Sequence, residues 1–136
     1  MRPVGFEEGT RYPLLLNIHG GPFTQYGNRF FDEFQIYAGA GYAVAYANPR
    51  GSSGYSESWG RAIRGPVEGG PGWGSVDYED LMAVVDEAIK RFDFVDPDRL
   101  GVMGAIGRPA LLIELVLQPS DPPGGPLLLV LLLVCG

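Results

Sequence analysis

Leu14-Leu15-Leu16-Asn17-Ile18-His19-Gly20-Gly21-Pro22 is a short apolar run that halts at a His-Gly-Gly-Pro turn. A run of this length, closed by Gly and Pro, reads as a strand over residues 13–18 that is buried on both faces. The adjacent glycines let the backbone turn tightly and leave amide N–H groups uncovered by side chains. Uncovered N–H groups at the end of a buried strand suit a developing oxyanion, the charge that forms in acyl transfer. A plain strand-ending turn fits the same residues equally well.

Downstream, residues 30–40 read as a helix. Phe30, Phe31, Phe34, Tyr37 and Ala38 share one side, Asp32, Glu33 and Gln35 take the other, and Gly39 and Gly41 close the end. Residues 42–47 read as a second strand, ended by the dense turn signal Asn48-Pro49-Arg50-Gly51-Ser52-Ser53-Gly54-Tyr55. Arg50 either clamps an anion or pairs with a neighbouring carboxylate, the commoner arrangement at a protein surface. The Gly-rich residues 59–73 read as a surface loop. Residues 75–91 give the strongest helix signal: Ser75 suits the N-cap, Asp77, Glu79 and Asp80 sit in the first turns, and Lys90 and Arg91 in the last. Leu81, Val84, Val85, Ala88 and Ile89 form its core stripe, and its carboxylates read as a solvated face, not a metal site. Asp96-Pro97-Asp98 is a turn signal and Arg99-Leu100-Gly101-Val102-Met103-Gly104 opens a third strand. This alternation predicts an α/β class, with a mostly parallel sheet flanked by helices.

At 136 residues the chain suggests a single domain, too small for a large α/β enzyme. With 46% hydrophobic and 19% charged residues it reads as globular. A net charge of −6 argues against a nucleic-acid partner, which needs a basic face. Cys135 stands alone, which excludes an internal disulfide and a multi-cysteine metal site; no metal or cofactor is expected. Residues 1–8 lack the apolar core of a signal peptide, and no apolar run approaches the roughly 18 residues of a membrane span. The expectation is therefore a cytoplasmic protein without an integral membrane segment.

Four motifs stand in order: Asn17-Ile18-His19-Gly20-Gly21-Pro22; Asn48 to Tyr55; Gly72-Trp73-Gly74 with Asp77 and Asp80-Leu81; and Val95-Asp96-Pro97-Asp98-Arg99-Leu100-Gly101-Val102-Met103-Gly104. Together they resemble the catalytic domain of the prolyl oligopeptidase family of serine peptidases, in its acylaminoacyl-peptidase and dipeptidyl-peptidase-like branch, up to about Gly104. The resemblance implies a partial α/β-hydrolase fold, a serine-type peptidase ancestry and a peptide substrate in intact relatives. It places one oxyanion-hole donor at the backbone N–H of Gly20 or Gly21, with Gly21 favoured, and the second at Gly107. It gives His19 the part of bracing that loop, because no partner serine is placed to make it a general base.

The resemblance also implies a nucleophile elbow, Gly-x-Ser-x-Gly, after the third strand. Aligned on Gly104, the chain reads Gly104-Ala105-Ile106-Gly107-Arg108, so Ile106 holds the serine position and Arg108 that of the closing glycine. No histidine follows Ile106, and the triad's acid and base are missing. The fold is therefore expected to be truncated at the elbow, without catalytic residues. Residues 1–108 read as the partial hydrolase domain. Residues 109–136 read as an unrelated Leu/Pro/Gly-rich tail, charged only at Glu114 and Asp121. So abrupt a switch suggests a frame shift or misjoined segments, and implies no evolved structural role for residues 111–116 or 127–134. The rival reading is a non-catalytic interaction module whose apolar tail self-associates or docks a partner. Marginal folding in isolation is expected, because a three-strand piece of a larger sheet leaves an open edge.

Overall fold

A computed structural model describes residues 1–21, 23–105 and 129–133. Its centre is a four-stranded parallel sheet in the order β2-β1-β3-β4. The strands are β1 (Tyr12–Ile18), β2 (Ala43–Tyr46), β3 (Val95–Ala105) and β4 (Leu129–Leu133). Among the described residues three α-helices accompany them: α1 (Asp32–Gly39), the single turn α2 (Glu57–Gly60) and α3 (Val76–Arg91).

β1 lies between β2 and β3, which explains its mostly apolar composition. Leu14, Leu16 and Ile18 point to the face covered by α3, where Leu16, Ile18 and Val102 pack on Leu81 and Val85. Leu81 and Val85 belong to the expected stripe, so the helical period had located the core-facing side. Ala45 of β2 joins the same cluster. Side chains alternate along a strand, so the adjacent Tyr46 faces the other way. There its ring lies 4.7 Å from Phe34 of α1, which is fully buried with Ala38. The two helices therefore cover opposite faces of the sheet.

Several expectations change. The helix of residues 30–40 shortens to α1, and Phe30 lies outside it and exposed, since Phe34 and Ala38 already fill the contact with β2. The loop of residues 59–73 holds helical turns, α2 with Arg61–Ile63 and Pro66–Glu68, and it buries Ile63 completely. Ser75 does not cap α3 with its side chain; its hydroxyl donates back to the Gly72 carbonyl at 2.5 Å. Asp77 instead accepts from the Ser75 N–H at 3.0 Å. Asp77 is fully buried, so the acidic first turn of α3 is not wholly a solvated face.

The Asp96-Pro97-Asp98 turn lies inside β3. Asp96 accepts from the Asp98 N–H at 3.0 Å, a local turn, and the pairing of β1 with β3 shifts register between Tyr12 and Leu14. The sheet also gains a fourth strand: β4, from the segment expected to have no evolved structural role, pairs with β3 from Gly101↔Leu129 to Ala105↔Leu133. On the opposite edge, the Met1 amino group and carbonyl both bond to Val44 of β2. Residues 106–128, including Ile106, Gly107, Arg108 and 111–116, lie outside the described residues.

Candidate functional site

The turn after β1 carries the site. His19 is buried, while Gly20 and Gly21 are half-buried. Gly21 has φ +134°, a conformation that strains any residue with a Cβ, and a Cβ there would also stand 3.1 Å from the Thr24 hydroxyl. Its N–H has no hydrogen-bond partner among the described residues.

The preceding carbonyl, that of Gly20, is occupied. His19 Nδ1 lies 2.8 Å from it, and the Thr24 hydroxyl also donates to it. A carbonyl can only accept, so Nδ1 carries a proton. Nε2 lies 2.9 Å from the hydroxyl of Ser52, and with Nδ1 carrying the proton of the neutral tautomer that hydroxyl is the donor. The ring locks the Gly20 carbonyl on one side and is itself locked by Ser52 on the other. Tyr26 packs edge-on against His19 at 5.2 Å, its phenol pushed up to about 12 by burial and then by the nearby Glu33 carboxylate, so it stays neutral.

A serine is thus placed on His19 after all, contrary to expectation. Ser52 is completely buried, so it reaches no substrate carbonyl, and the contact joins the turn after β2 to the turn after β1. Its position in a Gly-rich turn resembles many solvent-facing serines. Only the docking of that turn on the first motif reveals the contact.

That docking is extensive. Asn48 receives the Tyr26 N–H at 2.8 Å and donates to the Tyr26 carbonyl at 2.9 Å. The Phe23 N–H donates to the Gly51 carbonyl and the Ser53 N–H to that of Thr24. Arg50 takes the pairing role. Its Nε and Nη2 reach the Asp80 carboxylate of α3 at 2.9 and 2.7 Å, and its backbone N–H meets the same carboxylate at 2.8 Å. Hydrogen bonding to Asp80 raises the guanidinium pKa further. Arg50 thus ties the second motif to the third and stands committed to protein partners. Among the described residues no three His, Cys, Asp or Glu side chains gather as metal ligands, and no helix is long and apolar enough to cross a membrane.

The model of the prolyl oligopeptidase family matches residues 28–105, more than half of the chain. An uncharacterised peptidase of Bacillus subtilis, YuxL, is 54% identical over 104 residues, covering 76% of this chain and 15% of its own length. Dipeptidyl-peptidase 5 of Aspergillus oryzae is 34% identical over 105 residues, 76% of this chain and 14% of its own. The acylaminoacyl peptidase of Pyrococcus horikoshii superposes with a TM-score of 0.73 at 31% identity, covering 86% of this chain and 18% of that one. The chain thus spans about 15% of the length of YuxL, and its parallel sheet with flanking helices is part of an α/β-hydrolase fold. Matched over most of its described length by a family model, a bacterial peptidase and an archaeal structure, the chain belongs to the prolyl oligopeptidase family.

Proposed function

We propose that this chain carries the oxyanion loop of a serine-type peptidase catalytic domain, and that it does not itself hydrolyse peptides. The observation that carries this reading is the Gly20-Gly21 turn: one carbonyl tied away by His19 and Thr24, the next N–H left without a partner. In intact relatives a serine hydroxyl attacks the peptide carbonyl, whose oxygen becomes negative. A preorganised N–H at Gly21 stabilises that charge, and one such donor is worth roughly a hundredfold or more in rate. Gly20 is the neighbouring donor candidate and Gly107 the partner donor. His19 braces the loop, and Arg50, tied to Asp80 of α3, supports the turn that docks on it. Peptide substrates fit the relatives, which include a dipeptidyl-peptidase and an acylaminoacyl peptidase in complex with Z-Gly-Gly-Phe-chloromethyl ketone.

The inactivity follows from the sequence. Ile106 offers no nucleophile at the serine position. An oxyanion hole without its nucleophile retains only a residual rate over water. Residues 1–108 form the family part and residues 109–136 a segment foreign to it. Two measurements test this. A fluorophosphonate probe should leave the purified chain unlabelled, whereas stoichiometric labelling overturns the claim of inactivity. Reading the coding DNA past Gly104 in every frame should recover Gly-x-Ser-x-Gly in a neighbouring one. Its absence from all frames makes the loss of the nucleophile genuine and favours the non-catalytic interaction module.

A further inference from the structure

Beside the oxyanion loop lies a second pocket of about 400 Å³ that the peptidase reading leaves unused. Phe23 and Trp73 form its apolar walls, both more than half exposed, and Arg61 and Arg64 bring two cations to it. Phe23 is the one non-glycine residue with positive φ, +65°, among the described residues. That conformation is costly, and residues held in it tend to cluster where a ligand is clamped. Here it lays the Phe23 ring over Gly60, where a Cβ would stand 3.7 Å away.

The two cations differ. Arg61 is paired with Glu57 at 3.4 Å. Arg64 makes no ion pair among the described residues. Its Nε donates to the Glu68 carbonyl at 2.8 Å, while its own carbonyl accepts the Gly72 N–H at 3.0 Å. The guanidinium is therefore held at one nitrogen with its two terminal amines available, the fork that binds a planar oxyanion in bidentate fashion. The aromatic walls call for an apolar group next to that anion. Glu68 on the lining and a net charge of −6 disfavour a polyanion.

We propose that this pocket binds the free C-terminal carboxylate of a short peptide, with Arg64 holding the carboxylate and Phe23 and Trp73 packing the last side chain. The choice of a peptide over other carboxylates rests on the peptidase reading, but the measurement needs no turnover, so its failure leaves that reading standing. The test titrates the whole chain with N-acetyl-phenylalanine, its amide and inorganic phosphate, following the Trp73 indole N–H by NMR. Affinity for the acid should exceed that for the amide and for phosphate by roughly tenfold or more, and should weaken with salt. Arg64→Gln should abolish the difference between acid and amide. Phe23→Gly, which relieves the strained φ and should not lower the melting temperature, should weaken acid and amide alike. Equal binding of acid and amide, equal binding of phosphate, or wild-type affinity in both variants overturns the proposal.

Discussion

Ser52→Ala is the sharpest test of how the oxyanion loop is held. The Ser52 hydroxyl is completely buried, and it donates to His19 Nε2 at 2.9 Å on a ring that is itself only 7% exposed. The substitution removes the donor without opening a route for water. A net hydrogen bond is worth about 1 kcal/mol, and stranding a buried acceptor costs about 1–3 kcal/mol. The lost atom is small, so the cavity adds little, and the expected loss is about 2 kcal/mol. For a chain of this size that lowers the melting temperature by several degrees. Urea unfolding followed by tryptophan fluorescence gives the free energy. Long-range 1H–15N NMR reads the tautomer directly: wild type should show the proton on Nδ1, held there by the Gly20 carbonyl at 2.8 Å. The Gly21 amide resonance should shift in the variant, because the ring that fixes the preceding carbonyl is loosened. A double variant that also removes the imidazole should be less than additive, since it removes both partners together. A loss below about 0.5 kcal/mol, or a wild-type ring protonated on Nε2, refutes the bracing argument.

Three further outcomes follow from other contacts. Asn17 is 3% exposed and its Nδ2 has no hydrogen-bond partner among the described residues, so the similarly sized Asn17→Leu should gain about 1 kcal/mol in urea unfolding; a loss there points to an acceptor that the amide meets. Asp80→Asn weakens the ion pair and hydrogen bonds to Arg50 and should lower the urea midpoint modestly, because both side chains are partly exposed; no loss makes Arg50 available as an anion clamp. Asp96 is held below its ordinary value of 3.8, first by the hydrogen bond from Arg99 and then by the Asp98 N–H. Its folded pKa is depressed, so its contribution is present above about pH 4 and fades as pH falls through the folded value. Thermal melts should show less acid sensitivity in Asp96→Asn than in wild type, and identical slopes contradict the assignment.

The elements legible in the sequence are those that local pattern controls. The apolar run before His19 could only be a buried strand, and the spacing of Leu81 and Val85 could only face a core. What escaped depends on contacts distant in sequence. Ser52 meets His19 across 33 residues, and nothing in Arg50-Gly51-Ser52-Ser53 distinguishes one serine from the other. Asp77 looks like any helix-dipole carboxylate until the Gly72–Ser75 turn folds over it. Phe23 looks like a loop aromatic until its φ is known.

The fourth strand shows the opposite case, where pairing carries little information. In most strands a one-residue slip moves apolar side chains from core to solvent, and that penalty specifies the register. Leu129-Val130-Leu131-Leu132-Leu133 has no polar residue to misplace, so a slip puts another Leu or Val at every position. The edge of β3 offers a row of backbone donors and acceptors to any extended apolar segment. Parallel pairing from Gly101↔Leu129 to Ala105↔Leu133 satisfies that edge, and composition alone accounts for it. The pairing of β4 is therefore compatible both with an evolved strand and with a foreign segment caught by an open edge. Only an observation sensitive to register separates the two. A single Lys placed at Leu131 should be costly in an evolved strand with one fixed register, and should cost little where the segment slips to turn the charge outward.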